Sequence, residues 1–282
     1  MASPVPGPKA LPDPSLTWVL PAAKEAYDNR EAIQGLWDRL ATLLLGKKQS
    51  IGFTGLGGVG KTVLFDHLTG AAYRPGYTPP GTSRHKEKGK VSRHRKRMHM
   101  TVVPGQDSPA RLEVTDDLFG AKPVDGVVHV VANGFVELRS GAARETLVRT
   151  GLQTIESFRQ HQLEQELRDL DLTCEMIRAS MRNNDKPKWM IVVSDKVDLY
   201  YDSVLEAEKY YSPGSGSKFS ARIEEMQNRV GRDRFDWVAA PACAWLEDFE
   251  WNGQVVPSKL KPLDRDYFIG QLIDLIGAYC ER

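Results

Sequence analysis

The sequence predicts an α/β domain on a doubly wound, mostly parallel sheet flanked by helices, and three observations carry that expectation. VDGVVHVVANG, KWMIVVSDKVD and FDWVAAPACA are near-continuous apolar runs, as expected of strands covered on both faces. Segments of helical periodicity separate them, and strand–helix alternation implies parallel crossovers. A glycine-rich turn, GLGGVGKT at residues 55 to 62, sits between a short strand and a helix.

Taken in order, residues 1 to 15 read as a disordered tail, because five prolines deny that stretch helix and ladder hydrogen bonds. From Ala22 to Leu45 apolar residues recur at helical spacing (Ile33, Leu36, Trp37, Leu40, Leu43, Leu44). Residues 16–46 are thus a helical extension ahead of a domain over 47–282. That domain opens with the strand SIGFT, the glycine loop and a helix through Val63, Leu64 and Leu68.

Residues 71 to 90 read as a long loop that enters a β-ribbon over Lys88 to Val103, with MHMTVV as its inner strand. After VDGVVHVVANG, residues 141 to 183 form a helical insert of one long helix or two. KWMIVVSDKVD is a buried strand ending in a polar loop. YSPGSGSK is a loop, FSARIEEMQNRV a helix and FDWVAAPACA another strand. EDFEWNGQVVP reads as a late hairpin turning at Asn-Gly, and RDYFIGQLIDLIGAYC as a closing helix with one apolar face.

Hydrophobic residues at 41% are enough for a sizeable core in a 282-residue chain. A net charge of +1 gives no global attraction to nucleic acid or membrane, so any such role needs a local patch. Cys174, Cys243 and Cys280 are odd in number and widely spaced, which suits a reducing compartment better than a disulfide framework. The N-terminus lacks the layout of a signal peptide. No run approaches eighteen apolar residues, and neither Ala2 nor Cys280-Glu-Arg fits a lipidation signal. The expectation is a soluble cytoplasmic protein.

GLGGVGKT matches Gly-x-x-x-x-Gly-Lys-Thr, and each position has a task. Gly55 permits the turn, while Gly57, Gly58 and Gly60 let backbone N–H groups approach phosphates. Lys61 reaches the β- and γ-phosphates, and the Thr62 hydroxyl is a Mg2+ ligand. Val59 and Val63 complete the nucleotide-binding stretch, and the helix adds its positive end. The fold class is therefore a P-loop NTPase with an added N-terminal helix and a late β-hairpin.

With Asp195-Lys196-Val197-Asp198 after a buried strand, the chain resembles the Ras-like GTPases, whose guanine-reading loop is Asn/Thr-Lys-x-Asp. The resemblance implies that Asp198 accepts from guanine N1–H and the exocyclic amine, and that Lys196 lays its stem along the base. Asp195 stands where that family has Asn. Cys243-Ala244 matches the Ser/Cys-Ala loop whose backbone meets guanine O6. TPPGTSR, residues 78 to 84, implies a first switch in which Thr82 joins Thr62 on the metal.

The second switch, Val102-Val103-Pro104-Gly105-Gln106, is similar to the Thr-Val-Pro-Gly-Gln of the bacterial MglA-type polarity GTPases, which lack the usual Asp. That likeness implies that Gly105 senses γ-phosphate and Gln106, with Lys61, is catalytic, positioning the attacking water. Val102 cannot hold a metal, so slow intrinsic hydrolysis of GTP to GDP is expected. Arg84, Arg111, Arg139 and Arg144 are the candidates for an arginine finger within the chain. The resemblance covers residues 50 to 245.

RHKEKGKVSRHRKR, residues 84 to 97, is a local positive run beside the first switch. It reads either as a solvated edge ribbon protected by charge or as a nucleotide-controlled surface for an effector or activating protein. Nucleic acid phosphate and anionic lipid are the other acidic partners, though no aromatics interleave for base stacking. Two further functions compete with the GTPase reading: a nucleotide-holding pseudo-GTPase, and a P-loop ATPase or kinase.

Overall fold

The structure, a computed structural model, describes residues 18, 20, 49–79, 87–93, 96–103, 109–138 and 140–282. The proline-rich tail, the expected helix over Ala22 to Leu45, Thr82, Gly105, Gln106, Arg84 and Arg139 lie outside the described residues.

The strands are β1 (Ser50–Thr54), β2 (Glu87–Arg93), β3 (Lys96–Val102), β4 (Gly126–Val131), β5 (Trp189–Ser194) and β6 (Asp236–Pro241). They form one sheet in the order β2-β3-β1-β4-β5-β6. Every pairing is parallel except β2 with β3, so the ribbon expected near residues 88 to 103 is the antiparallel edge, with its MHMTV strand inside against β1. A separate hairpin, β7 (Phe249–Trp251) and β8 (Gln254–Val256), turns through Asn252 and Gly253, both at positive φ. That is the turn geometry Asn-Gly favours.

Helices cover both faces: α1 (Lys61–Thr69), α2 (Pro109–Asp116), α3 (Gly141–Arg149), α4 (Ile155–Asn184), α5 (Val204–Tyr211), α6 (Lys218–Val230) and α7 (Pro262–Glu281). The sheet residues divide by alternation. Val127, Val131, Met190 and Val192 join one core with Phe158 and Ile177 of α4 and Phe219 and Ile223 of α6. Val128, Val130, Ile191 and Val193 join the other with Leu64 and Leu68 of α1 and Ile269 and Leu272 of α7. Period-two side chains on doubly covered strands require two cores.

The helical insert is two helices. Gly151 at positive φ breaks the chain, and Thr154 then caps α4, its hydroxyl accepting from Ser157 N at 3.1 Å. The sequence reading missed α2 and α5. It also expected one apolar face on α7, whereas Phe268, Ile269, Leu272, Ile273, Leu275, Ile276 and Tyr279 bury most of its circumference. From the N-terminal segment, Trp18 is buried in the α4-side core, and Leu20 N donates to the Tyr201 hydroxyl at 3.2 Å. Cys174, Cys243 and Cys280 are free and buried. Among the described residues no helix is long and apolar enough to cross a membrane.

Candidate nucleotide site

The C-terminal ends of β1, β4, β5 and β6 open onto one pocket of about 380 Å³, the place where parallel α/β sheets bind ligands. Four loops line it. The glycine loop contributes Gly57, Gly58, Gly60, Lys61, Thr62 and Val63; the β4 loop gives Val136 and Glu137; the β5 loop gives Asp195, Lys196 and Asp198; and the β6 loop gives Ala244 and Trp245.

Lys61 is buried, and its ammonium donates to Gly55 O at 2.7 Å and to Leu56 O. Gly60 caps α1 at φ 100 with no side-chain acceptor, so the first-turn N–H groups have no capping side chain. Two glycines here are needed for reasons beyond phosphate approach. At Gly58 an added Cβ would lie 2.2 Å from Glu137 O, and at Gly60 2.1 Å from Asp195 Oδ2. The glycine loop is thus packed against the two neighbouring loops. Val59 is fully buried and anchors its floor.

The Asp195–Asp198 segment was expected to be a polar loop; Asp195, Val197 and Asp198 are buried, Lys196 lies in the left-handed region at φ 60, and a 3-10 turn follows over Val197–Leu199. Asp195 is 1% exposed and accepts from Ala244 N at 2.8 Å through Oδ1. Burial lifts its carboxyl to about 6, against the opposing hydrogen bonds from Lys196 and Ala244. It therefore bonds the β6 loop while packing against Gly60 of the glycine loop. Ala244 N–H, expected to meet guanine, is held by Asp195.

Asp198 is equally buried. Its Oδ1 accepts from Cys243 Sγ at 3.4 Å, and the Ser258 hydroxyl lies beside the same carboxylate and favours its charged form. Burial raises the Asp198 carboxyl, and burial and this carboxylate together push the Cys243 thiol well up. Cys243 serves the site as the partner that fixes Asp198, on a side chain wholly enclosed.

The β4 loop was not anticipated. Glu137 N donates to Gly58 O at 3.2 Å, and its carboxylate meets Lys196 Nζ at 3.3 Å. The loop is held from below by Glu166 of α4, which accepts from Ala132 N (2.9 Å), Gly134 N (3.2 Å) and the Tyr211 hydroxyl (2.8 Å). Burial raises the Glu166 carboxyl in spite of these donors. The sequence signal was present but weak: Glu166 falls four residues from both Gln162 and Leu170 on the buried stripe of α4. Trp245 also escaped notice; it lines the pocket and meets Tyr77 edge-on at 6.2 Å.

On the metal side, Thr62 lies in the first turn of α1 and lines the pocket. Val102 closes β3 as a buried apolar residue at the same pocket. One hydroxyl ligand suits Mg2+, which keeps several waters and takes its remaining ligands from phosphates. Of the arginines considered, Arg144 lies 5.7 Å over the Trp251 ring; the side chain of Arg111 lies outside the described residues.

Residues 50–192 match a family model described as 50S ribosome-binding GTPase. No curated protein matches the chain. Among solved structures the chain is similar to Toc33 from Arabidopsis thaliana in a dimerization-deficient mutant, at 12% identity, TM-score 0.45, over 88% of this chain and 92% of that one. Toc33 in complex with GDP and Mg2+ matches at 14% identity and TM-score 0.40 over the same shares. The mammalian SRP receptor matches at 16% identity and TM-score 0.38, over 70% of this chain and 92% of that one.

Proposed function

The chain belongs to the 50S ribosome-binding GTPase family, and from that premise we propose that it is a GTP-binding switch protein that hydrolyses GTP to GDP with Mg2+, slowly without a partner. The observation that carries this reading is Asp198, a buried carboxylate in the wall of the pocket that also holds Lys61 and Thr62. Guanine offers two adjacent donors, N1–H and the exocyclic amine, to such a carboxylate; adenine has no such pair.

In this reading Gly57 to Val63 wrap the phosphates, Lys61 supplies a point charge, and Lys196 covers the base. Mg2+, when bound, neutralises charge on the β- and γ-phosphate oxygens. Thr62 and Thr82 would hold it. Gly105 and Gln106 act at the γ-phosphate, Gln106 orienting water through an amide that both donates and accepts. Their likeness to the bacterial polarity branch supports that assignment. We place this machinery in a soluble cytoplasmic domain over 47–282, preceded by a helical extension, with a partner engaging the switches and segment 84–97.

The second reading, a nucleotide-holding protein with little hydrolysis, is favoured by Val102, an apolar residue at the pocket where related switches carry a metal-side carboxylate. Single-turnover hydrolysis of bound GTP separates the two. A measurable rate that Gln106→Ala lowers about a hundredfold supports the enzyme, in the range of one positioned group. Equal, negligible rates in both proteins favour the holder. Competition between GTP and ATP tests the base assignment: preference for ATP would remove it.

A further inference from the structure

We propose that Glu137 is a positioning residue for the base-reading lysine, its carboxylate holding Lys196 at the pocket while its peptide locks onto the glycine loop. The inference rests on the guanine-nucleotide reading of this pocket and deepens it: one residue sets the spacing between the phosphate-binding and base-binding loops.

Three observations converge on Glu137. Its Oε1 lies 3.3 Å from Lys196 Nζ, with the lysine side chain 13% exposed and the glutamate 46%. Its amide donates to Gly58 O, and its carbonyl sits so close to Gly58 that only glycine fits there. The loop carrying it is fixed on three sides. Glu166 takes the N–H groups of Ala132 and Gly134, Arg159 lies 4.4 Å over the Phe135 ring, and Phe135 stacks on Tyr200 at 6.1 Å.

Lys196 is held equally firmly at its backbone. It adopts a left-handed conformation, and Val197 N next to it donates to Ala242 O at 3.1 Å. Both ends of the Glu137–Lys196 pair therefore start from rigid points, so the pair fixes where the lysine stem runs. A lysine otherwise carries several freely rotating bonds that a ligand would have to order. The neighbouring carboxylates, Asp195 and Asp198, are engaged with Ala244 N and Cys243 Sγ. Glu137 is the carboxylate that meets the Lys196 ammonium in an ion pair among the described residues.

The glutamate end of the pair is about half exposed, where an ion pair contributes little to folding, so Glu137→Gln should spare the fold and act on the ligand. The test is titration of GDP, and of inorganic tripolyphosphate as a base-free probe, into the full chain and four variants: Glu137→Gln, Glu137→Asp, Lys196→Met and the double substitution Glu137→Gln with Lys196→Met. We expect Glu137→Gln to weaken GDP roughly tenfold, a coupling usual for groups in contact, with tripolyphosphate unchanged. In the Lys196→Met background, which keeps the stem and loses the charge, Glu137→Gln should change nothing further. Glu137→Asp should recover part of the affinity.

Loss of GDP by the same factor with or without the Lys196 charge would overturn the proposal. So would an equal loss of tripolyphosphate, which would place the effect in the glycine loop. Failure of the unaltered protein to bind GDP while binding tripolyphosphate would sink the guanine reading itself, a separate result from either of these.

Discussion

The glycine loop and the Asp195–Asp198 loop lie side by side at one end of the sheet, yet they are held in opposite ways. The first is built from backbone: glycines, uncapped N–H groups and one lysine that bonds carbonyls of its own loop. The second is built from buried carboxylates that reach across to other loops, Asp195 to Ala244 and Asp198 to Cys243. Under the proposed guanine-nucleotide reading, the difference follows from the ligand parts each would meet. Phosphates are polyanions that many N–H groups and a cation satisfy from any chain with the right turn. A base edge presents a few donors at fixed places, which only a side chain anchored in the interior can match.

Lys61 gives the sharpest way to break this contrast. Replacing it with alanine removes charge-assisted contacts of about 1.5–3 kcal/mol each. GTP affinity should fall about a thousandfold, a change of roughly 4 kcal/mol. Equilibrium titration of the variant with GTP checks it; retained affinity would show that the backbone alone suffices.

Glu166→Ala tests the opposite claim, that the other loops rest on buried carboxylates. It strips the acceptor from Ala132 N, Gly134 N and the Tyr211 hydroxyl. The loss should be about 3 kcal/mol of stability, as for other broken buried polar networks. Urea unfolding measures it, and a change under half that would mean the β4 loop holds its shape without Glu166.

Asp195 ranks next. Its carboxyl ordinarily titrates at 3.8 and is raised to about 6 by burial. Between those values the folded chain holds a proton that the unfolded chain has lost. The group's contribution to stability is thus fully present below about pH 4 and fades as pH rises through about 6. Asp195→Asn keeps an acceptor for Ala244 N–H and has no titration. The variant should therefore gain on the unaltered protein by up to about 3 kcal/mol as pH rises from 4 to 7, two pKa units at about 1.4 each. Thermal unfolding across that range decides it: a difference independent of pH would mean Asp195 does not titrate where its burial suggests.

The same contrast explains what could be read from residues alone. GLGGVGKT was legible because its task is local, set within a single turn between β1 and α1. The strands were legible because double coverage forces apolar runs. Asp195 and Asp198 were found by their place after a strand, but their burial was not, since DKVD reads as polar. The enclosure comes from Ala244, Cys243 and the Lys259 N–H that bonds Asp198 O, residues 45 to 61 positions further on. Glu137 and Glu166 carried no motif at all. Their roles arise only when β4 and α4 bring residues 32 and 34 positions apart into one hydrogen-bonded unit, and when β5 sets Lys196 beside Glu137. Helix α7 was misread for a related reason: periodicity records one apolar face and is silent on how many neighbours enclose the rest.

Asp198→Asn is the finest test of the contrast, since it changes one atom in a side chain that is already enclosed. The amide keeps an Oδ1 acceptor for Cys243 Sγ, so the fold around it should persist. What it loses is the second acceptor, Oδ2, along with the negative charge. Guanine's paired donors would then meet one acceptor and one donor. The expected penalty is about 2 kcal/mol, the scale of a hydrogen bond to a charged group, or roughly a thirtyfold fall in the preference for GTP over ATP. Tripolyphosphate affinity should not move, because the glycine loop is untouched. Competition between the two nucleotides, run beside a tripolyphosphate titration, reads both quantities. An unchanged preference would take Asp198 out of base recognition and leave it as a carboxylate that only braces Cys243.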